Sequence, residues 1–125
     1  MRRRTVAIGA ILGMLAVSAG AFGAHALKAQ VTPERLEVFK TAAHYQLIHA
    51  VLLVAVGLAG GKLPGRATDI GVLALFGGIL VFSGSLYLLV LTDTPMWGAV
   101  TPIGGVLFHV GWICIAISAL RSRPM

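Results

Sequence analysis

No charged side chain occurs between Thr5 and Leu27, and that stretch is long enough to cross a bilayer as one helix. A spanning helix needs about twenty consecutive, mostly apolar residues. Only a helix or a closed barrel satisfies every backbone amide and carbonyl without water. Three further runs meet or approach the requirement: about Ala42 to Gly60, about Ile70 to Leu91, and Trp97 to Leu120. The connections, Lys28 to Thr41, Gly61 to Asp69 and Thr92 to Met96, are short, so consecutive helices must be antiparallel neighbours. The expected fold is all-α, a four-helix integral membrane bundle forming one domain over residues 1–125.

Composition agrees. The chain is 58% apolar and 11% charged, against roughly 25% charged residues in soluble domains. Ten Lys and Arg against four Asp and Glu give a basic balance. The basic side chains sit at the ends of apolar runs and form no face of their own, which excludes nucleic acid as a partner and names the lipid bilayer instead. Cys114 is the single cysteine, so no internal disulfide forms.

The first connection is more than a loop. Thr32, Pro33 and Glu34 read as an N-cap, a proline at the first helical position and an acid in the first turn. From there Glu34, Glu37, Thr41 and His44 share one helical stripe, while Leu36, Phe39, Ala43 and Leu47 share another. A short amphipathic interfacial helix is therefore expected before the second span and running into it. Gly61, Pro64 and Gly65 punctuate the second connection, and Asp93 and Pro95 the third.

Orientation follows from Lys and Arg. With the amino terminus inside, Arg2, Arg3, Arg4, Lys62, Arg66, Arg121 and Arg123 lie on the cytoplasmic side, against Lys28, Arg35 and Lys40 opposite. This bias predicts a multi-pass protein with both termini cytoplasmic. A cleaved signal peptide is the competing reading, with Ala24-His25-Ala26 as its cleavage site. The apolar stretch outruns the usual length for such a region, and its glycines are spaced for helix packing. A retained first span is expected.

Lipid supplies no hydrophobic drive between helices, so close backbone approach must hold them together. Gly9, Gly13, Ala16, Gly20 and Gly23 make a small-residue face on the first span; Gly71, Ala74, Gly78 and Ser85 do so on the third, with Gly84 between two serines. Gly98, Pro102, Gly104 and Gly105 open the fourth. Packing within the chain is the expected use, and a homodimer face the alternative.

Polar residues concentrate at one depth. His25 closes the first span; Tyr45, Gln46 and His49 lie in the outer half of the second; Ser83, Ser85 and Tyr87 in that of the third; Thr101 at the outer end of the fourth. Polar groups face lipid only at a cost, so these side chains should turn inward and bond one another. The cluster reads either as a structural lock between helices or as a site for a small molecule or metal. His25 approaching His49 would give two histidines, a pair able to hold haem iron or copper. No Cys pair, buried carboxylate or HExxH motif accompanies them, so no cofactor and no metal ligand set is expected. His44 belongs to the exposed stripe, and His109, on one face with Gly105 and Trp112, packs on the indole or bonds a carbonyl. No nucleophile elbow, Walker loop or dinucleotide fingerprint occurs, and all four carboxylates lie in connections, which argues against an enzyme. No Asp, Glu, Lys or Arg within a span marks an ion path.

Four motifs, GAFGAH (Gly20 to His25), YQLIH (Tyr45 to His49), FSGSLY (Phe82 to Tyr87) and TPIGGVLF with the following GW (Thr101 to Trp112), resemble in order and spacing the family catalogued as domain of unknown function 423. The resemblance spans nearly the whole chain and implies a small bacterial inner-membrane protein, with eukaryotic transmembrane relatives. It carries over no catalytic residue. The expected role is that of a non-enzymatic accessory, assembly or scaffold subunit that docks to a larger membrane complex or to itself. The alternative is a protein binding a small molecule, metal or haem at the polar cluster.

Overall fold

The computed structural model describes residues 2–122, and Arg123, counted above toward orientation, lies outside them. Among the described residues, four helices are long and apolar enough to cross a membrane: α1 Arg3–Leu27, α2 Pro33–Lys62, α3 Arg66–Thr92 and α4 Pro95–Arg121. Among the described residues there is no strand.

α2 begins where its cap places it. Thr32 is extended, its Oγ1 accepts the Arg35 amide at 3.2 Å, and Pro33 and Glu34 form the first turn. From Pro33 to Ala59 the α-helix is unbroken. The amphipathic segment is thus the first turns of α2, with no bend at Ala42 or Ala43, both of which are buried. At 30 residues this helix measures about 45 Å, longer than the roughly 30 Å hydrocarbon layer. Its polar opening turns therefore stand clear of the acyl chains.

The other ends depart from the hydropathy boundaries. α3 starts at Arg66, four positions before the apolar run, because Arg66, Thr68 and Asp69 make a polar first turn. α4 opens as a 3₁₀ turn over Pro95–Ala99, which holds Trp97, before the α-helix proper starts at Thr101. Pro95 and Pro102 bring no amide donor, and short-range bonds from Trp97, Val100 and Ile103 carry the chain across. Two single π turns, Ala19–Gly23 in α1 and Ile79–Ser83 in α3, are invisible to any periodicity argument.

α1 packs along α2, α3 packs along α4, and α2 with α3 joins the two pairs. Glycines set these contacts. A Cβ on Gly9 would stand 2.9 Å from the Ala50 carbonyl oxygen, and one on Gly57 would stand 2.9 Å from the Val6 nitrogen. On Gly78 it would meet the Phe108 ring, and on Gly111 the Leu75 side chain. Gly23 lies against Phe39, while Gly13 and Gly20 face Ala50 and Ala43 at ordinary contact distance. Gly104 is the tightest, abutting the Phe82 backbone. Packing within the chain is therefore what these glycines serve. Gly84 and Gly105 are the corrections: a Cβ at either would meet nothing within 4 Å. Each projects from its helix into space that no neighbour fills.

Two apolar clusters fill the interior. Leu53, Leu75, Ile79 and Phe108 form one at mid-height; Ala24, Phe39, Leu89 and Val90 form the other, away from the termini. The terminal end is latched by Arg2, which donates to the Leu63 carbonyl at 3.1 Å and pairs with Asp69 at 3.3 Å. Beside it, buried Thr68 and Ser118 share a hydrogen bond, and Ser118 also reaches the Pro64 carbonyl. At the opposite end Arg35 pairs with Asp93, which caps α3 in the left-handed conformation at φ 50°.

Candidate functional site

Most of the polar side chains of the half remote from the termini turn inward, and Gln46, Tyr87, Ser83, Ser85 and Thr101 do so in three separate links. Gln46 is the hub of the first. Its Nε2 donates to the Leu12 carbonyl at 2.8 Å, and its Oε1 accepts the Tyr87 hydroxyl at 2.7 Å, so one amide ties α2 to α1 and α3. Tyr87 is held by Phe39, ring centroids 5.1 Å apart. Ser83 makes the second link, donating to the Ala42 carbonyl at 2.7 Å from the end of the π turn. The third joins Ser85 to Thr101, hydroxyl to hydroxyl, with Ser85 also bonding the Phe82 carbonyl. Among the described residues no buried side-chain nitrogen or oxygen lacks a partner.

His49 is bonded at both ring nitrogens. Nδ1 lies 2.7 Å from the Tyr45 carbonyl, and Trp112 Nε1 lies 3.1 Å from Nε2. An indole N–H only donates and a carbonyl only accepts, so the ring is the Nδ1–H tautomer, Nε2 accepting. Phe108 stacks on it at 3.6 Å between centroids. Neither nitrogen retains a free lone pair in this arrangement.

His25 does not join. Its neighbour Ala24 takes the buried position against Phe39, and one residue on, about 100° around the helix, the imidazole is exposed beside Lys28 and Lys40. The level of Phe39 is ten residues from His49, roughly 15 Å along α2. The approach of His25 to His49 that the two-histidine reading requires is thus absent. Among the described residues no three His, Cys, Asp or Glu side chains converge. The expected meeting of side chains from four helices becomes side chains from three, with α1 contributing a backbone carbonyl.

Tyr45 also leaves the cluster. It is 40% exposed and turns to a cleft of about 400 Å³ between α2 and α4, walled by Phe82, Phe108 and Trp112 and floored by His49. Gly105 and His109 line its α4 side. His109 Nδ1 bonds the Gly105 carbonyl at 2.8 Å, the carbonyl bond expected for it. The sequence marks Trp112 only as sharing a face with His109, and its bond to His49 emerges from the structure. The available signal was that an indole N–H within a span needs an acceptor, and His49 is the one histidine buried in a neighbouring helix. The cleft itself had no local signal, since residues of α2, α3 and α4 far apart in the chain line it.

Comparison with known proteins agrees with this architecture. The model of the family described as "Protein of unknown function (DUF423)" matches residues 19–105. The chain is 42% identical over 116 residues to a UPF0382 membrane protein of Staphylococcus aureus (strain bovine RF122 / ET3-1), covering 93% of this chain and 94% of the relative. It is 44% identical over 116 residues to one of Staphylococcus saprophyticus, covering 93% and 96%. With the UPF0382 membrane protein YwdK of Bacillus subtilis (strain 168) it shares 42% over 118 residues, covering 93% and 95%. No solved structure matches. A family-model match over most of the chain, relatives called membrane proteins at this identity, and four apolar spans lead to one conclusion: the chain belongs to the DUF423 family and is a multi-pass membrane protein.

Proposed function

We propose that this chain is a non-enzymatic accessory protein of the bacterial inner membrane that works by binding, its receiving surface being the lipid-open cleft between α2 and α4. The observation that carries the reading is the contrast between its polar groups. Gln46, Ser83, Ser85, Tyr87, Thr101 and His49 are consumed by internal bonds, which supports a structural role for them. Tyr45 and His109 instead line a concave aromatic surface of a size that suits a small guest. Gly105 deepens it, and glycine within a helix costs about 0.5–1 kcal/mol relative to alanine. That cost offsets nothing inside the chain.

Native mass spectrometry of protein extracted in mild detergent tests this. The wild type is expected to retain a lipophilic adduct that Gly105→Leu loses. Bare chain in both spectra would remove the reading. The scaffold alternative is favoured by Gly84, whose empty face lies away from the cleft. On that reading the same spectra show a dimer or hetero-complex that Gly84→Leu dissociates.

We further propose that both termini are cytoplasmic. Arg2, Arg3, Arg4, Lys62, Arg66 and Arg121 flank the span ends on the terminal side, against Lys28, Arg35 and Lys40 on the other. Terminal fusions to alkaline phosphatase, which folds only outside the cytoplasm, are expected to be inactive. An active fusion at either end reverses the assignment.

A further inference from the structure

We infer that the cleft between α2 and α4 binds the head group of an isoprenoid quinone or quinol, with the tail lying along α2 toward the terminal end. The inference rests on the binding role proposed above and names its ligand class.

Three observations select that chemistry. The first is polar. His109 lies twelve residues from Trp97 on α4, about 18 Å along the helix, near mid-bilayer, and it is exposed. Its Nδ1–H is spent on the Gly105 carbonyl, so in the neutral ring Nε2 presents an acceptor into the cleft side. The Tyr45 hydroxyl, on the facing wall, makes no hydrogen bond among the described residues. No water reaches that depth to satisfy them, and an intramembrane ionisable side chain marks a functional site by default. A phospholipid acyl chain would leave both groups unpaired. A ring with oxygens at its rim pairs them: its hydroxyl donates to His109 Nε2, or its carbonyl accepts from Tyr45.

The second observation is planar. Tyr45, Phe82, Phe108 and Trp112 surround the opening, and aromatic faces hold flat rings by offset stacking. Gly105 adds room, since no atom lies within 4 Å of where its Cβ would be. The third is a continuation. The cleft shares Ile48 and Trp112 with a second hollow of about 460 Å³, lined further by Leu47, Val51, Leu52 and Ala55 and without polar surface. A polar-rimmed head space opening into an apolar trough matches a molecule with a hydrogen-bonding ring and a branched hydrocarbon tail. Binding alone is inferred, with no electron transfer.

The test uses the full chain in phosphatidylglycerol–phosphatidylcholine vesicles, with Trp97→Phe leaving Trp112 as the one indole. Decylubiquinone is titrated and Trp112 fluorescence recorded. Saturable quenching is expected, abolished by Gly105→Leu and weakened roughly ten-fold by Tyr45→Phe with His109→Leu; the oxidised probe has no hydroxyl to donate to His109, so the loss is chiefly the one hydrogen bond its carbonyl accepts from Tyr45. Gly105→Ala, which adds one methyl to open space, keeps the fold and is expected to weaken binding by a smaller factor. Linear quenching equal in all variants, as from quinone merely dissolved in the bilayer, overturns the inference. Saturation unaffected by the Tyr45/His109 pair overturns it equally. Absent saturation, a native mass spectrum separates the two levels. Another adduct held by wild type and lost in Gly105→Leu retires the quinone and keeps the cleft. A co-migrating partner protein in its place retires the quinone in favour of a docked helix. Bare chain retires both.

Discussion

Gly104→Ala is expected to destabilise the protein by about 3 kcal/mol, the upper end of what overpacking a well-fitted contact costs. Its Cβ would enter the Phe82 main chain, with the Phe82 Cα 2.7 Å away, and backbone cannot rotate aside as a side chain does. The contact joins α4 to the π turn of α3, so relief would mean sliding one helix along the other. The adjacent Gly105→Ala is the internal control. Its Cβ meets nothing, and the higher helix propensity of alanine, about 1 kcal/mol, makes it neutral or mildly stabilising. Unfolding by sodium dodecyl sulfate in mixed micelles, followed by circular dichroism, measures both. Equal losses in the two variants would show that the α3–α4 contact is not as drawn.

The second large effect is expected at Gln46. Gln46→Leu puts an apolar side chain of broadly similar size there and removes both hydrogen bonds, at a cost of about 2 kcal/mol, given about 0.6–2 kcal/mol for an interhelical bond in a membrane. Part of that is the penalty for leaving the Tyr87 hydroxyl without its acceptor. Tyr87→Phe should cost about 1 kcal/mol by itself. Because the two changes break a shared bond, the double variant should lose less than their sum. Strict additivity in the same unfolding assay would show that the amide and the phenol do not bond.

The spans were legible because hydrophobic length is a local property. So was the start of α2, where Thr32, Pro33 and Glu34 carry their own capping chemistry. The polar cluster was legible in part: depth alone selected Gln46, His49, Ser83, Ser85, Tyr87 and Thr101 as inward-facing, and they are. Depth failed for His25, where rotation about the helix axis decides, and for Tyr45, which shares Gln46's level and faces the other way. The glycine pattern was legible as packing but silent on the partner of each residue, so Gly84 and Gly105 could not be told from Gly78 and Gly104.

Residue order alone determined how many times the chain crosses the bilayer and which connections are tight, since both depend on transfer free energy summed over neighbours in the chain. Tertiary structure decided the partners: Leu12 for Gln46, Trp112 for His49, Phe82 for Gly104. It also decided that residues of α2, α3 and α4 surround a cleft. In lipid every span is equally content to be surrounded by hydrocarbon. Helix pairing therefore rests on backbone fit and a few directional bonds between residues far apart in the chain, and no local pattern encodes those.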